Sequence, residues 1–115
     1  MTSLKKTHGR HTSAFILLFL CESESYGARL FTRMQAELPH CFSDSADVYR
    51  CLNDMEERGC VCSRWEIPEA GQPRKWYGIT TKGREALAEC AEDIRRRQEN
   101  FAYFAERYKK CDRLC

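Results

Sequence analysis

The sequence predicts a mainly helical fold with one small antiparallel β-hairpin: a winged helix-turn-helix followed by a long C-terminal dimerisation helix. Three observations predict it. Val48, Leu52 and Met55 recur at helical spacing, and Gly59 supplies a stop where a left-handed backbone costs little. Residues 61–67 and 75–80 then read as two strands, the first alternating with period two and the second aromatic and β-branched, around a loop at 68–73. From Gly83 to Cys115 neither Gly nor Pro interrupts the chain, as in a long helix.

In order along the chain, residues 1–11 form a basic arm with Lys5, Lys6, His8, Arg10 and His11, expected to be flexible. Thr12 or Ser13 is expected to cap a helix beginning near Ala14. Its run Phe15 to Cys21 is apolar on every side, so burial all round is required, by its own domain and by a second subunit. Ser23 to Ser25 make a polar break. The next helix, 26–38, turns Leu30, Phe31, Met34 and Leu38 inward, and Pro39 ends it. A turn at 40–45 leads to the third helix, whose first turn carries Asp44 and Asp47 beside unpaired amide donors. This division gives an arm (1–11), a winged helix-turn-helix (12–80) and a final helix (81–115).

Leu87, Cys90, Ile94, Phe101, Phe104 and Tyr108 stripe the final helix, and the polar segment 95–99 splits the stripe in two. So long a helix cannot pack along its whole length on so small a domain. Its distal aromatic residues would stay exposed unless a second copy covered them. Phe15, Phe19, Leu87, Ile94, Phe101, Phe104 and Tyr108 are therefore the expected dimer contacts.

A chain of 115 residues supports one compact domain with little room for a deep cleft. Its 19 basic and 17 acidic residues leave a net charge of +2, so any phosphate-binding surface must come from local placement. The three histidines are dispersed, and neither a Ser/His/Asp spacing nor a glycine-rich phosphate cradle is present. No enzymatic activity is expected. The apolar run at 14–21 is too short to span a bilayer, and a polar, basic start argues against secretion. The expected location is the cytoplasm.

In this fold the second helix of the motif enters the major groove of double-stranded DNA. Asp47, Arg50 and Asn53 lie near its amino end, with Arg50 suited to guanine or phosphate and Asn53 to adenine. Ser23, Ser25 and Tyr26 precede the other helix of the motif, where hydroxyls and free amides hold phosphate. Arg64, Arg74 and Lys75 flank the wing loop, and Trp65 and Trp76 are expected to pair across its strands. Against tight binding stand Asp44, Asp47, Asp54, Glu56 and Glu57. They keep open a rival reading, a dimeric adaptor that binds protein through the same scaffold.

The eight cysteines read mainly as free thiols of an intracellular chain. Cys21, Cys51 and Cys90 fall on apolar helix faces. Cys60 with Cys62, and Cys111 with Cys115, are weak candidates for a metal or redox site, at spacings unlike those of structural zinc. No cofactor is expected.

Taken together, FILLFLCESESYGARLF, VYRCLNDMEERG, SRWEI and GQPRKWYGITTKGREAL resemble the PadR family of bacterial transcriptional regulators over residues 13–94. The resemblance implies a dimeric winged-helix repressor, joined through its final helix with help from the first, and touching DNA through the recognition helix and wing. It matches Tyr49 to a family tyrosine that follows a Gly-Ser/Thr-Leu or similar triplet, and Gly27 to the glycine of a His-Gly-Tyr-like segment. Ala46 and Asp47 stand where Gly and Ser/Thr are common, and Ala28 replaces the usual tyrosine. Some relatives respond to phenolic or multidrug compounds, so a small aromatic effector near the dimer interface is also implied.

Overall fold

The computed structural model describes residues 11–111. Its elements run α1 (Thr12–Glu22), β1 (Ser25–Tyr26), α2 (Gly27–Glu37), α3 (Ser45–Glu57), β2 (Val61–Glu66), β3 (Arg74–Ile79) and α4 (Thr81–Cys111). The basic residues of the arm before His11, and Cys115, lie outside the described residues.

Helix α1 is central, packing on α2, α3, α4 and β3. Ile16, Leu17, Phe19 and Leu20 are buried with Leu30 and Met34 of α2 and Val48, Leu52 and Met55 of α3. Burial of the apolar run is incomplete: Leu18 stays 42% exposed. The expected cap at Thr12 or Ser13 is not made. The helix starts at Thr12 itself, with His11 in the left-handed region at its N-cap position. Thr12 is fully buried, and its hydroxyl lies 2.5 Å from that of Ser43, tying the start of α1 to the α2–α3 turn.

Gly59, at φ 82°, ends the segment after α3 as the sequence predicts. Asp44 caps the start of α3, accepting from the Asp47 amide while the Asp47 carboxylate accepts from the Asp44 amide. The hairpin gains a third strand that the sequence did not reveal. β1 adds to β3 in the order β1-β3-β2, with Ser25 opposite Tyr77 and Tyr26 opposite Trp76. Two residues carry no readable periodicity. Among the described residues no helix is long and apolar enough to cross a membrane.

Thr80 joins the wing to α4. Its amide donates to the Cys60 carbonyl (3.1 Å), its hydroxyl donates to the Gly59 carbonyl (2.6 Å) and accepts from the Gly83 amide (3.0 Å). Gly83 crosses so near the Cys60 carbonyl that a Cβ there would collide with it and lie 2.8 Å from Ile79. The T-x-x-G pattern thus supplies a helix cap and a close backbone crossing.

Candidate nucleic-acid interface

Helix α3 divides cleanly. Val48, Cys51, Leu52 and Met55 are buried, whereas Ala46, Tyr49, Arg50 and Asn53 face solvent. Arg50 is 70% exposed along its side chain, but its guanidinium pairs with Asp47. Asp47 is not the open side chain the sequence suggested. It is buried within the capping box, so its charge meets Arg50 and the Asp44 amide rather than standing free toward solvent. The Tyr49 ring lies against Gly27 at the start of α2, bringing together the two residues matched to family motifs.

The polar break before α2 is also rearranged. Ser23 is exposed, but Ser25 is buried in β1 with its hydroxyl unpaired among the described residues. A phosphate cannot reach Ser25 in this arrangement. Sheet formation has turned its side chain inward. Tyr26, half-buried, meets Trp76 edge-on with ring centroids 5.1 Å apart.

On the wing, Arg64 lies opposite Trp76, and Trp65 opposite Lys75. The tryptophans therefore occupy opposite faces of the ribbon, and the expected cross-strand pair is absent because the register is displaced by one residue. On the outer face Arg64 stacks over Trp76 at 5.5 Å and pairs with Glu24 at 2.8 Å, while Arg74 lies 4.2 Å over Tyr26. The other face carries Val61 and Tyr77 into the core and leaves Trp65 60% exposed at its outer end. There Lys75 pairs with Glu56 of α3 at 3.3 Å, and Ser63 donates to the same carboxylate at 2.5 Å.

These bonds shift both partners. Donation from Ser63 holds the Glu56 carboxyl below its usual value, against the effect of partial burial and with help from Lys75. Partial burial opposes charge on Lys75, but its bonds to Glu56 and Tyr77 prevail, raising its pKa. Glu24 and Glu56 were not singled out by the sequence as organisers of the wing. Their partners are remote in the chain, so no local pattern marks them.

Of the expected dimer residues, Phe19 is enclosed within its own chain, with the Arg33 guanidinium 3.9 Å over its ring. That leaves no face for a second subunit. Leu18, on the same helix, is the exposed neighbour. Phe15 and Leu87 are half-buried against the core, and Ile94 is half-buried on α4. Phe101, Phe104 and Tyr108 are 62–68% exposed, the last two stacked at 6.2 Å. A groove of about 400 Å³, lined chiefly by Phe15, Met34, Leu38, Phe42, Ile94 and Phe101, adjoins this face.

Cys60 and Cys62 differ in exposure, and the Cys115 half of the other pair lies outside the described residues. Cys60 is buried, and burial raises its pKa as it does that of Cys51, whereas Cys62 and Cys111 are exposed. Among the described residues no group of three or more His, Cys, Asp or Glu side chains is placed to hold a metal ion.

The profile of the transcriptional regulator PadR-like family matches residues 16–89, from α1 through the wing into α4. The chain belongs to that family. Its PadR-like fold recurs in a candidate transcriptional regulator from Thermoplasma acidophilum, at TM-score 0.73 and 23% identity, over 83% of this chain and 90% of that one. A PadR family transcription regulator from Clostridium difficile superposes at TM-score 0.71 and 20% identity, over 83% and 98%. Bacillus subtilis PadR, solved with operator DNA, matches at TM-score 0.63 and 22% identity, over 69% of this chain and 45% of that one. No curated protein sequence matches the chain. As a PadR-like protein it is a DNA-binding transcriptional regulator, in a family whose members are not catalysts.

Proposed function

We propose that this PadR-like regulator acts as a homodimeric, sequence-specific repressor. Each copy would present α3 to one half-site and its wing to the adjoining backbone. The observation that carries the reading is the division of α3: its apolar face is used fully by the core, while Tyr49, Arg50 and Asn53 project from the other. Ser23, Tyr26, Arg64, Arg74 and Lys75 complete the proposed DNA surface.

Dimerisation is supported by three uncovered apolar features: Leu18, the groove beside Ile94, and the Phe101, Phe104 and Tyr108 face of α4. A second copy laying its distal α4 against the first would cover them under twofold symmetry. A small aromatic effector entering the groove would then alter the spacing of the two α3 helices.

The adaptor reading loses its main support. Four of the five carboxylates in question are engaged within the chain: Asp44 and Asp47 in the cap, Asp54 with Arg58, and Glu56 with Lys75. Little unpaired negative charge remains on α3 to recruit a basic protein.

The test is selection of genomic fragments on the reduced, purified protein, followed by affinity measurements across salt concentrations. A pseudo-palindromic element bound well above random DNA supports the reading. Weak, sequence-blind binding throughout would overturn it.

A further inference from the structure

The Asp47 carboxylate lies in the first turn of α3, beside Arg50, the exposed base-reading candidate. It is 4% exposed, yet it pairs with an arginine whose side chain is 70% exposed. A buried carboxylate must be matched by donors. Here Oδ2 accepts from the Asp44 amide at 2.9 Å and Oδ1 accepts from Arg50 Nη2. One oxygen is fixed by the helix backbone and the other grips a side chain. The anchor is the Asp44 backbone amide; the Asp44 carboxylate separately caps the helix by accepting from the Asp47 amide at 2.8 Å.

We propose that Asp47 is a positioning residue for base readout: anchored in the capping box of α3, it holds Arg50 so that its free N–H groups address one guanine per half-site. This rests on the reading of α3 as the helix that enters DNA. A guanidinium carries five N–H groups. With one Nη2 hydrogen committed to Asp47, the other Nη2 hydrogen and those of Nη1 still form a fork for guanine O6 and N7. Pinning a long side chain beforehand removes the ordering cost from the binding step.

The pair is also electrically neutral, so it adds little to attraction for phosphates of any sequence. Specific and nonspecific binding are thereby separated. Arg50 contributes where a matching pair of acceptors lies and little elsewhere.

The substitution that isolates this is Asp47→Asn, since an amide oxygen can still accept from the Asp44 amide but carries no charge for Arg50. Oligonucleotides selected from a random pool by the full-length protein, followed by affinities for single-base variants and for random DNA, give the readout. Asp47→Asn is expected to lower discrimination for one guanine per half-site about tenfold while raising affinity for random DNA. Arg50→Ala should lose the same preference, with no further loss in the double variant. Asp44→Ala, which breaks the other half of the cap, should lower thermal stability and leave base preference unchanged.

A uniform gain for all sequences in Asp47→Asn would mean that Asp47 only restrains Arg50, and would overturn the proposal. So would an unchanged guanine preference. A wild-type protein that selects no sequence overturns the DNA reading and this proposal together, whereas a wild-type consensus untouched by Asp47→Asn overturns the positioning role alone.

Discussion

The ring of Tyr49 on α3 lies against Gly27 at the start of α2, so close that a Cβ on residue 27 would stand 2.7 Å from the ring Cζ. The contact joins the two helices of the motif on their solvent side. Because the atoms involved belong to the end of a half-exposed side chain, the ring rather than the backbone would yield. Gly27→Ala is expected to change stability by less than about 1 kcal/mol but to displace Tyr49 and weaken operator binding. In a Tyr49→Ala background the same change should leave affinity unmoved. A double-mutant cycle in DNA affinity checks this.

Gly83 offers the opposite case. There an added Cβ meets the backbone carbonyl of Cys60, which the Thr80 amide already holds. Neither group can swing away, so Gly83→Ala should destabilise the fold by about 3 kcal/mol. Urea unfolding measures it, and a loss below a few tenths of a kcal/mol would refute the crossing as drawn.

The Glu56 carboxyl titrates below its usual value near 4.5 in the folded protein. A depressed acid stabilises the fold above its unfolded pKa, and that contribution disappears as pH falls through the folded pKa. Stability should therefore decline as pH drops below about 4.5, with Glu56→Gln showing a shallower decline. Thermal midpoints of both proteins between pH 7 and pH 3 provide the comparison.

Phe104 is 68% exposed, so its replacement costs the isolated subunit little. Phe104→Glu is expected to change intrinsic subunit stability by under about 0.5 kcal/mol while converting the proposed dimer to monomer in sedimentation equilibrium. Operator affinity should fall about 100-fold as the two half-sites cease to be bound together.

Thiol reactivity should follow burial. Cys21, Cys62 and Cys111 are exposed and are expected to react with a disulfide reagent in the native state. Cys51, Cys60 and Cys90 are buried and should react only after unfolding. Mass mapping after a short exposure separates the two classes.

Helices α2 and α3 were legible because each has an apolar face and a marked end, Pro39 after α2 and Gly59 after α3, and α4 because neither Gly nor Pro interrupts the chain after Gly83. The two-residue β1 was not, since pairing of Ser25 with Tyr77 depends on how α1 delivers the chain to the sheet edge. The same limit governed the candidate surface. Side chains could be assigned to α3 and the wing, but the pairing of Asp47 with Arg50, and the strand register that parts Trp65 from Trp76, are fixed only by geometry. Phe19 shows the converse error. An apolar helix was rightly taken to need cover, yet Arg33 from the next helix supplies part of it.

The hydroxyl of Thr80 touches Gly59, just past the end of α3, and Gly83, in the first turn of α4. The helix proposed to hold two copies together is therefore bonded to the foot of the helix proposed to read DNA, and it packs on α1 beyond that point. With 31 residues, α4 is a lever about 46 Å long. A tilt of about 5° at its base carries the far end through about 4 Å. In the proposed dimer the spacing of the two α3 helices would then follow the angle at which α4 leaves this joint, adjustable without altering any residue proposed to face a base.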